Sequence, residues 1–249
     1  RKMSRYEALA ASYDDLTDDV EYGRRAEFLC ALMRQSRIAV HTVLDLACGT
    51  GTMTCLLAEA GYEMIGVDAS EDMLAEAARK QVSAEKIQPI YLHQTMETLD
   101  LYGTVEAAVC CLDSLNYVTE LRALRRTLQR LHLFLAPGGV FIFDINSPAK
   151  LRGLDGQVFL DEREDVYCVW RAAYEKRRRI CTYGIDIFQR QGDVWVRSLE
   201  EHEERAWEVE ELKRLLQEAG FGKIRTWGDC RLRAPRPDEE RIYFTCIRE

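Results

Sequence analysis

A chain of 249 residues, 47% hydrophobic, is long enough to bury one enzyme-sized core, and its formal charge of -8 excludes a general electrostatic affinity for nucleic acid. No stretch approaches the roughly 18 apolar residues of a membrane span, and the start of the chain lacks a secretory leader's apolar core, so a cytoplasmic protein is expected. The nine cysteines, without a Cys-x-x-Cys pair, are expected as small buried hydrophobes rather than a disulfide frame or a zinc site.

Tyr6 to Leu16 and Val20 to Gln35 read as two helices. Tyr6, Leu9, Ala10 and Tyr13 recur at helical spacing in the first, and Phe28, Leu29 and Leu32 in the second. Val43-Leu44-Asp45-Leu46 then reads as a short buried strand, and Ala47-Cys48-Gly49-Thr50-Gly51 as a tight turn into a helix from Thr52 to Glu59. Glycines in such a turn let a ligand lie against the backbone, where the helix offers unpaired N–H groups. The next strand, Glu63 to Val67, closes with Asp68, roughly 20 residues beyond the turn; a strand-turn-helix-strand nucleotide fold places its ribose-binding carboxylate there.

Ser70 caps the following helix, in which Met73 reads either as a core contact or as a neighbour of a bound base. Pro89 to His93 is a third strand and Val105 to Leu112 a fourth, apolar on both faces. Its exit, Asp113-Ser114-Leu115-Asn116-Tyr117, sets polar residues at the carboxyl end of a strand, the ligand-bearing edge of an open parallel sheet. A helix from Glu120 to Leu135 stops before Pro137-Gly138-Gly139, and a fifth strand, Val140 to Ile145, leads to a second polar exit with Asn146.

Beyond Pro148 the rhythm changes. Val166 to Ala173, Ile180 to Gln189 and Val194 to His202 alternate and are rich in β-branched and aromatic residues, which predicts an antiparallel meander inserted in the α/β frame. A lid, a dimer surface or both are its expected roles, and Arg177-Arg178-Arg179 is expected as a solvated turn. Alternation sets His202 and Glu204 on one face of the last strand; His202 reads as a candidate general base or as an ion-pair partner of the glutamates around it. The chain closes with a helix, Val209 to Ala219, and strands Lys223 to Trp227 and Ile242 to Ile247.

The turn is not a dinucleotide fingerprint, because Thr54 fills the place of the third glycine. Asp45 ahead of Ala-x-Gly-x-Gly, with Asp68 closing the second strand, instead resembles motif I of the class I S-adenosylmethionine (SAM) dependent methyltransferases. Tyr6 to Asp14 (Tyr-x-x-Leu-Ala-x-x-Tyr-Asp) is similar to the leading segment of small-molecule members, and Cys111 to Tyr117 to motif IV of one bacterial subgroup. The resemblance runs from Tyr6 to Ile247. It implies a doubly wound, Rossmann-like α/β fold with a seven-stranded, mostly parallel sheet of order 3-2-1-4-5-7-6 and an inserted meander. A helical cap over residues 1–40, a core of 41–147 and 206–249, and a lid or dimerisation region of 148–205 follow.

SAM as cofactor and S-adenosylhomocysteine as product are implied in the same way. Asp45 is then expected near the amino-acid end, Ala47, Gly49 and Gly51 along the methionyl part, Asp68 and Ala69 at the ribose, and Met73, Thr95 and Met96 at the adenine. Asp113 and Tyr117 complete the cofactor set. Thr95 stands where the family often carries an aspartate, a weaker acceptor in its place, so adenine recognition is expected to lean on backbone near Met96. For the chemistry, Tyr13 and Asn116 are expected to position the acceptor, and His202 to take a proton from a hydroxyl acceptor. Asp113 and Asp144 sit at neighbouring strand exits without a third ligand, so no metal is expected. The implied activity is in-line methyl transfer to nitrogen or oxygen of a small molecule by a monomer or homodimer that engages neither nucleic acid nor membrane. The alternatives are a catalytically silent SAM-binding module and an NAD-dependent oxidoreductase, the latter opposed by the incomplete glycine fingerprint.

Overall fold

The computed structural model describes residues 20–249, so the expected helix Tyr6 to Leu16, with Tyr13, lies outside the described residues. The strands are β1 (Thr42–Leu46), β2 (Glu63–Asp68), β3 (Ile90–His93), β4 (Val105–Cys110), β5 (Leu135–Asn146), β6 (Val158–Glu162), β7 (Val166–Glu175), β8 (Ile180–Gln191), β9 (Val194–Arg205), β10 (Phe221–Trp227) and β11 (Arg241–Arg248). Seven of them form one sheet, in the order β10-β11-β5-β4-β1-β2-β3, while β6 to β9 form a separate antiparallel sheet. Strands β1 to β5 pair in parallel, and β11 runs antiparallel between β5 and β10. With the inserted strands left out of the count, this is the order 3-2-1-4-5-7-6.

Period-two burial explains the layering. Val43, Val109 and Ile142 face α1 (Tyr22–Met33) and α2 (Thr52–Glu59), packing with Phe28, Leu29, Leu32, Met53 and Leu57. Leu44, Ala108, Phe141 and Phe143 alternate with them and point to the other face. There they meet Leu124, Leu128 and Leu131 of the helix Leu121–Phe134 and Leu212, Leu215 and Leu216 of the helix Val209–Glu218. Each such leucine, fully buried, contributes about 1.5–3 kcal/mol, so the apolar stripes rather than intrinsic propensity hold these helices in place.

Three elements depart from expectation. β5 starts at Leu135, straight from the preceding helix, so Pro137-Gly138-Gly139 lies within the strand; a register shift between Val105 and Ala107 on β4 absorbs the irregularity. The inserted sheet has a fourth, edge strand, β6, whose five residues are almost all exposed and carry no alternation to read. A one-and-a-half-turn helix, Pro148–Gly153, follows Ser147, whose hydroxyl accepts the Lys150 N–H at 3.1 Å.

Candidate active site

After β1 the chain turns through three positive-φ residues, Ala47, Gly49 and Gly51, into α2. Gly51 has no room for a side chain, since a Cβ would lie 2.6 Å from the Tyr91 hydroxyl and 2.9 Å from the Ala77 Cβ. Gly49 is the opposite case. At φ +54 it has nothing within 4 Å of where a Cβ would stand, so its backbone borders open space. Beneath the turn Asp45 is 1% exposed and accepts a hydrogen bond from Thr54 Oγ1 at 2.6 Å. Burial pushes the Asp45 carboxyl up to about 6, against the Thr54 bond and with help from Asp68. Thr54 therefore uses its hydroxyl where a dinucleotide fold needs a bare glycine.

Asp68, the last residue of β2, accepts the Gly49 N–H at 2.8 Å on one oxygen and the Ser70 N–H at 2.9 Å on the other. Burial raises its carboxyl above the ordinary value, and these backbone bonds oppose the rise. The carboxylate keeps acceptor capacity for a ligand hydroxyl. Thr95 caps the 3-10 turn Met96–Thr98, its hydroxyl 2.9 Å from that of Thr98.

The exits of β4 and β5 form the other end of the site. Leu112 and Asp113 are consecutive residues at φ +55 and +54, a conformation that costs about 1–2 kcal/mol per residue. Asp144 offsets that cost: its two carboxylate oxygens accept the Leu112 N–H at 2.8 Å and the Asp113 N–H at 3.0 Å. Arg241 completes the cluster, ion-paired to Asp144 and, at 2.7 Å, to Asp113. Burial works to lower the guanidinium's pKa, but the two carboxylates outweigh it and hold it well above the ordinary value.

Asn116, wholly buried, donates from Nδ2 to the carbonyls of Asn146 at 3.2 Å and Arg205 at 3.0 Å, and accepts the Asn146 N–H at 3.1 Å. Its side chain thus ties the β4 exit to β5 and to the inserted sheet. The last strand of that sheet buries Glu200, His202 and Glu204 on one face and sets Glu201, Glu203 and Arg205 on the other, where Arg205 folds over Trp207. His202 Nε2 is 2.9 Å from Glu200 Oε2, and its ring meets Tyr117 edge-on with centroids 6.1 Å apart. Glu204 accepts from Asn146 Nδ2 at 2.9 Å, while Lys150 Nζ donates to Asn146 Oδ1 at 2.9 Å. Burial, reinforced by Asp113, pushes the Glu204 carboxyl up to about 8. Arg205 Nη1 donates to the Thr119 carbonyl at 2.9 Å and Trp207 Nε1 to that of Val118 at 3.2 Å, which fastens the inserted sheet to the loop after β4.

These groups surround a cavity of about 740 Å³ at the carboxyl ends of β1, β2 and β4, a volume typical of small-ligand sites. Ala47, Gly49, Asp68, Ala69, Met73, Thr95, Met96, Asp113 and Tyr117 line it. Asp45 sits beneath the turn, Gly51 ends it packed against Tyr91 and Ala77, Asn116 and His202 lie behind the wall that Tyr117 forms, and Tyr13 is outside the described residues. The residues fit a nucleoside bearing an amino-acid arm: an open backbone at Gly49, lone pairs at Asp68 and an apolar slot between Met73 and Met96. Among the described residues no group of His, Cys, Asp or Glu is placed to hold a metal, and no helix is long and apolar enough to cross a membrane. Sequence reasoning missed Arg241 and Glu200. The signal for Arg241 was topological: an antiparallel last strand begins where the parallel strands end, and Arg241 pairs in register with Asn146 at the ligand edge.

A glycine turn into a helix, an acid closing β2 and a polar exit after β4, on a sheet of this order, define an α/β enzyme built around a nucleoside cofactor. Residues 43–139 match the methyltransferase domain model. YqeM of Bacillus subtilis (strain 168), placed by its name among the methyltransferases, is 31% identical over 242 residues, 96% of this chain and 95% of its own length. The crystal structure of a SAM-dependent methyltransferase from Clostridium acetobutylicum ATCC 824 superposes with a TM-score of 0.85 at 29% identity, covering 97% of this chain and 98% of the other. A glycine/sarcosine N-methyltransferase of Halorhodospira halochloris is 25% identical over 95% of this chain and 85% of its own. This chain belongs to the class I SAM-dependent methyltransferases.

Proposed function

We propose that this enzyme moves a methyl group from SAM, leaving S-adenosylhomocysteine, to a nitrogen or oxygen atom of a small-molecule acceptor. The observation that carries the reading is the shared cavity: Gly49 and Asp68 at one end and Asp113 and Tyr117 at the other line one space of about 740 Å³. When bound, SAM supplies a sulfonium methyl that needs no further activation. Asp68 is placed for the ribose hydroxyls, the Gly49 backbone for the methionyl arm, and Met73, Thr95 and Met96 for the adenine; Asp45 supports the turn from below through Thr54.

What remains for the protein is to hold the acceptor atom in line at roughly 3–3.5 Å and keep water away. Tyr117 and Asp113 form the wall on that side, Asn116 fixes their loop, and the inserted sheet is tied to that loop from behind through the Arg205 carbonyl. His202 supports the Tyr117 ring from behind the cavity wall, out of direct reach of an acceptor, which favours a neutral amine that attacks first and sheds its proton afterwards. The name of the Halorhodospira relative favours nitrogen. The acidic balance argues against a nucleic-acid acceptor. The test is release of S-adenosylhomocysteine from SAM across a panel of small amines, phenols and alcohols. Acceptor-dependent release supports the reading; tight SAM binding with no release from any acceptor would make the chain a silent binding module.

A further inference from the structure

The inserted sheet has two unlike faces. Glu200, His202 and Glu204 of β9 are buried on one of them, and alternation sets Trp195, Arg197 and Leu199 on the other, where all three are exposed. On that outer face Glu162, Arg163, Glu164, Tyr167, Phe188 and Trp195 line a second cleft, of about 370 Å³. Trp195 and His202 are separated by a stretch of continuous strand, roughly 23 Å long, so the cleft is distinct from the cavity at the ends of the parallel strands.

Strand register explains why these residues meet. Glu162 pairs with Tyr167 and Tyr167 with Phe188, so one cross-strand row carries an acid and two rings on the same face. Trp195 pairs with Arg190, the next residue of β8 on that face beyond Phe188, and its indole adds a third ring from β9. The Tyr167 and Phe188 ring centroids lie 6.1 Å apart with planes at 62°, which makes a corner rather than a stack. Trp195 is 48% exposed, an unusual setting for so large an apolar surface.

Charge decides what such a corner holds. Glu162 and Glu164 are exposed at its edge, and among the described residues neither has an ion-pair partner. The cations nearby are engaged: Arg163 with Asp161 at 3.0 Å, Arg197 Nε with Asp186 at 2.7 Å, and Arg190 Nε with the Gly192 carbonyl at 3.1 Å. Ring faces are electron-rich, so three rings beside two carboxylates suit a cation. A primary ammonium brings three N–H donors and a guanidinium five, each of which needs an acceptor that ring walls do not supply. A quaternary ammonium ion brings none.

We propose that this cleft binds a small quaternary ammonium ion, its methyl groups against Tyr167, Phe188 and Trp195 and its charge balanced by Glu162 and Glu164. The site is on the outer face of the inserted sheet and does not depend on what the main cavity holds.

The test titrates the full chain with choline, tetramethylammonium and 3,3-dimethyl-1-butanol, the neutral isostere of choline, by calorimetry and by NMR of the indole N–H groups, with and without S-adenosylhomocysteine. The expected result is millimolar binding of both ammonium ions that moves the Trp195 indole signal, with the isostere weaker by about fivefold or more. S-adenosylhomocysteine should not displace them. Trp195→Ala should weaken choline binding about fivefold or more, Trp195→Phe much less, and Glu162→Gln with Glu164→Gln about threefold, all with unchanged melting because these side chains are exposed. Equal binding of the isostere, undiminished binding by Trp195→Ala, displacement by S-adenosylhomocysteine, or no choline binding at tens of millimolar would each overturn the proposal. So would a dimer in sedimentation that Trp195→Ala dissolves, which would assign the face to a second copy of the chain.

Discussion

Glu204 and Asp68 are both buried carboxyls, yet their partners give them different work. Asp68 is met by two backbone N–H groups at the cavity surface, whereas Glu204 has one amide donor and the like charge of Asp113 nearby. Glu204 therefore holds its proton more tightly folded than unfolded. Stability falls as pH rises from the ordinary value of 4.5 to about 8, and levels off above, because the unfolded chain ionises first. Glu204→Gln keeps the acceptor for Asn146 and removes the titration. It should melt on the order of 5 °C above the parent near pH 9 and level with it near pH 5, read by differential scanning calorimetry; a difference that is the same at both would contradict the assignment. Asn116→Ala acts through pairing instead, stranding the carbonyls of Asn146 and Arg205 and the Asn146 N–H. A loss of about 2–4 kcal/mol in urea unfolding is expected.

The glycine turn and the loop after β4 are the elements on which the site depends, and they differ in how they are written. The turn is local. Gly51→Ala would drive a Cβ into Tyr91 and Ala77 and should cost about 2–4 kcal/mol, while Gly49→Ala, with open space around it, should cost about 1 kcal/mol and show mainly in cofactor affinity. Urea unfolding and SAM titration separate the two effects. Such local signals are why Gly49, Asp68, Met96, Asp113 and Tyr117 could be read from sequence: each lies at the carboxyl end of a strand or in the loop that leaves it. Arg241 and Glu200 could not be read that way. They reach the site from 128 residues after Asp113 and from the inserted sheet, and only the pairing of β11 with β5 and the contact of β9 with Tyr117 brings them there. The edge strand Val158–Glu162 escaped because an exposed strand carries no period-two pattern.

At the scale of the molecule, two sheets meet at one loop. The parallel sheet supplies the cofactor end, and the inserted sheet is latched to the β4 exit by Arg205, Trp207 and Asn116. A ligand in the cavity contacts the loop to which the inserted sheet is latched, so its binding free energy should appear as stability of the whole chain. At a hundredfold excess over its Kd, S-adenosylhomocysteine should add about 2.7 kcal/mol and raise Tm by about 5–10 °C, read by thermal shift. The sheet order was legible before the structure through the family resemblance alone; the two-faced layering of Val140, Phe141, Ile142 and Phe143, all apolar, was not, and neither was the latch, since its side chains lie in segments separated by about ninety residues.

The most direct test of the account is calorimetric titration with SAM, S-adenosylhomocysteine and NAD of the parent protein and of Asp68→Ala, with melting curves to confirm that the variant is folded. Micromolar binding of both sulfur nucleotides, weakened at least tenfold in a folded Asp68→Ala and absent for NAD, is the predicted result. Binding of NAD in their place, or undiminished binding by the variant, would contradict the site described above.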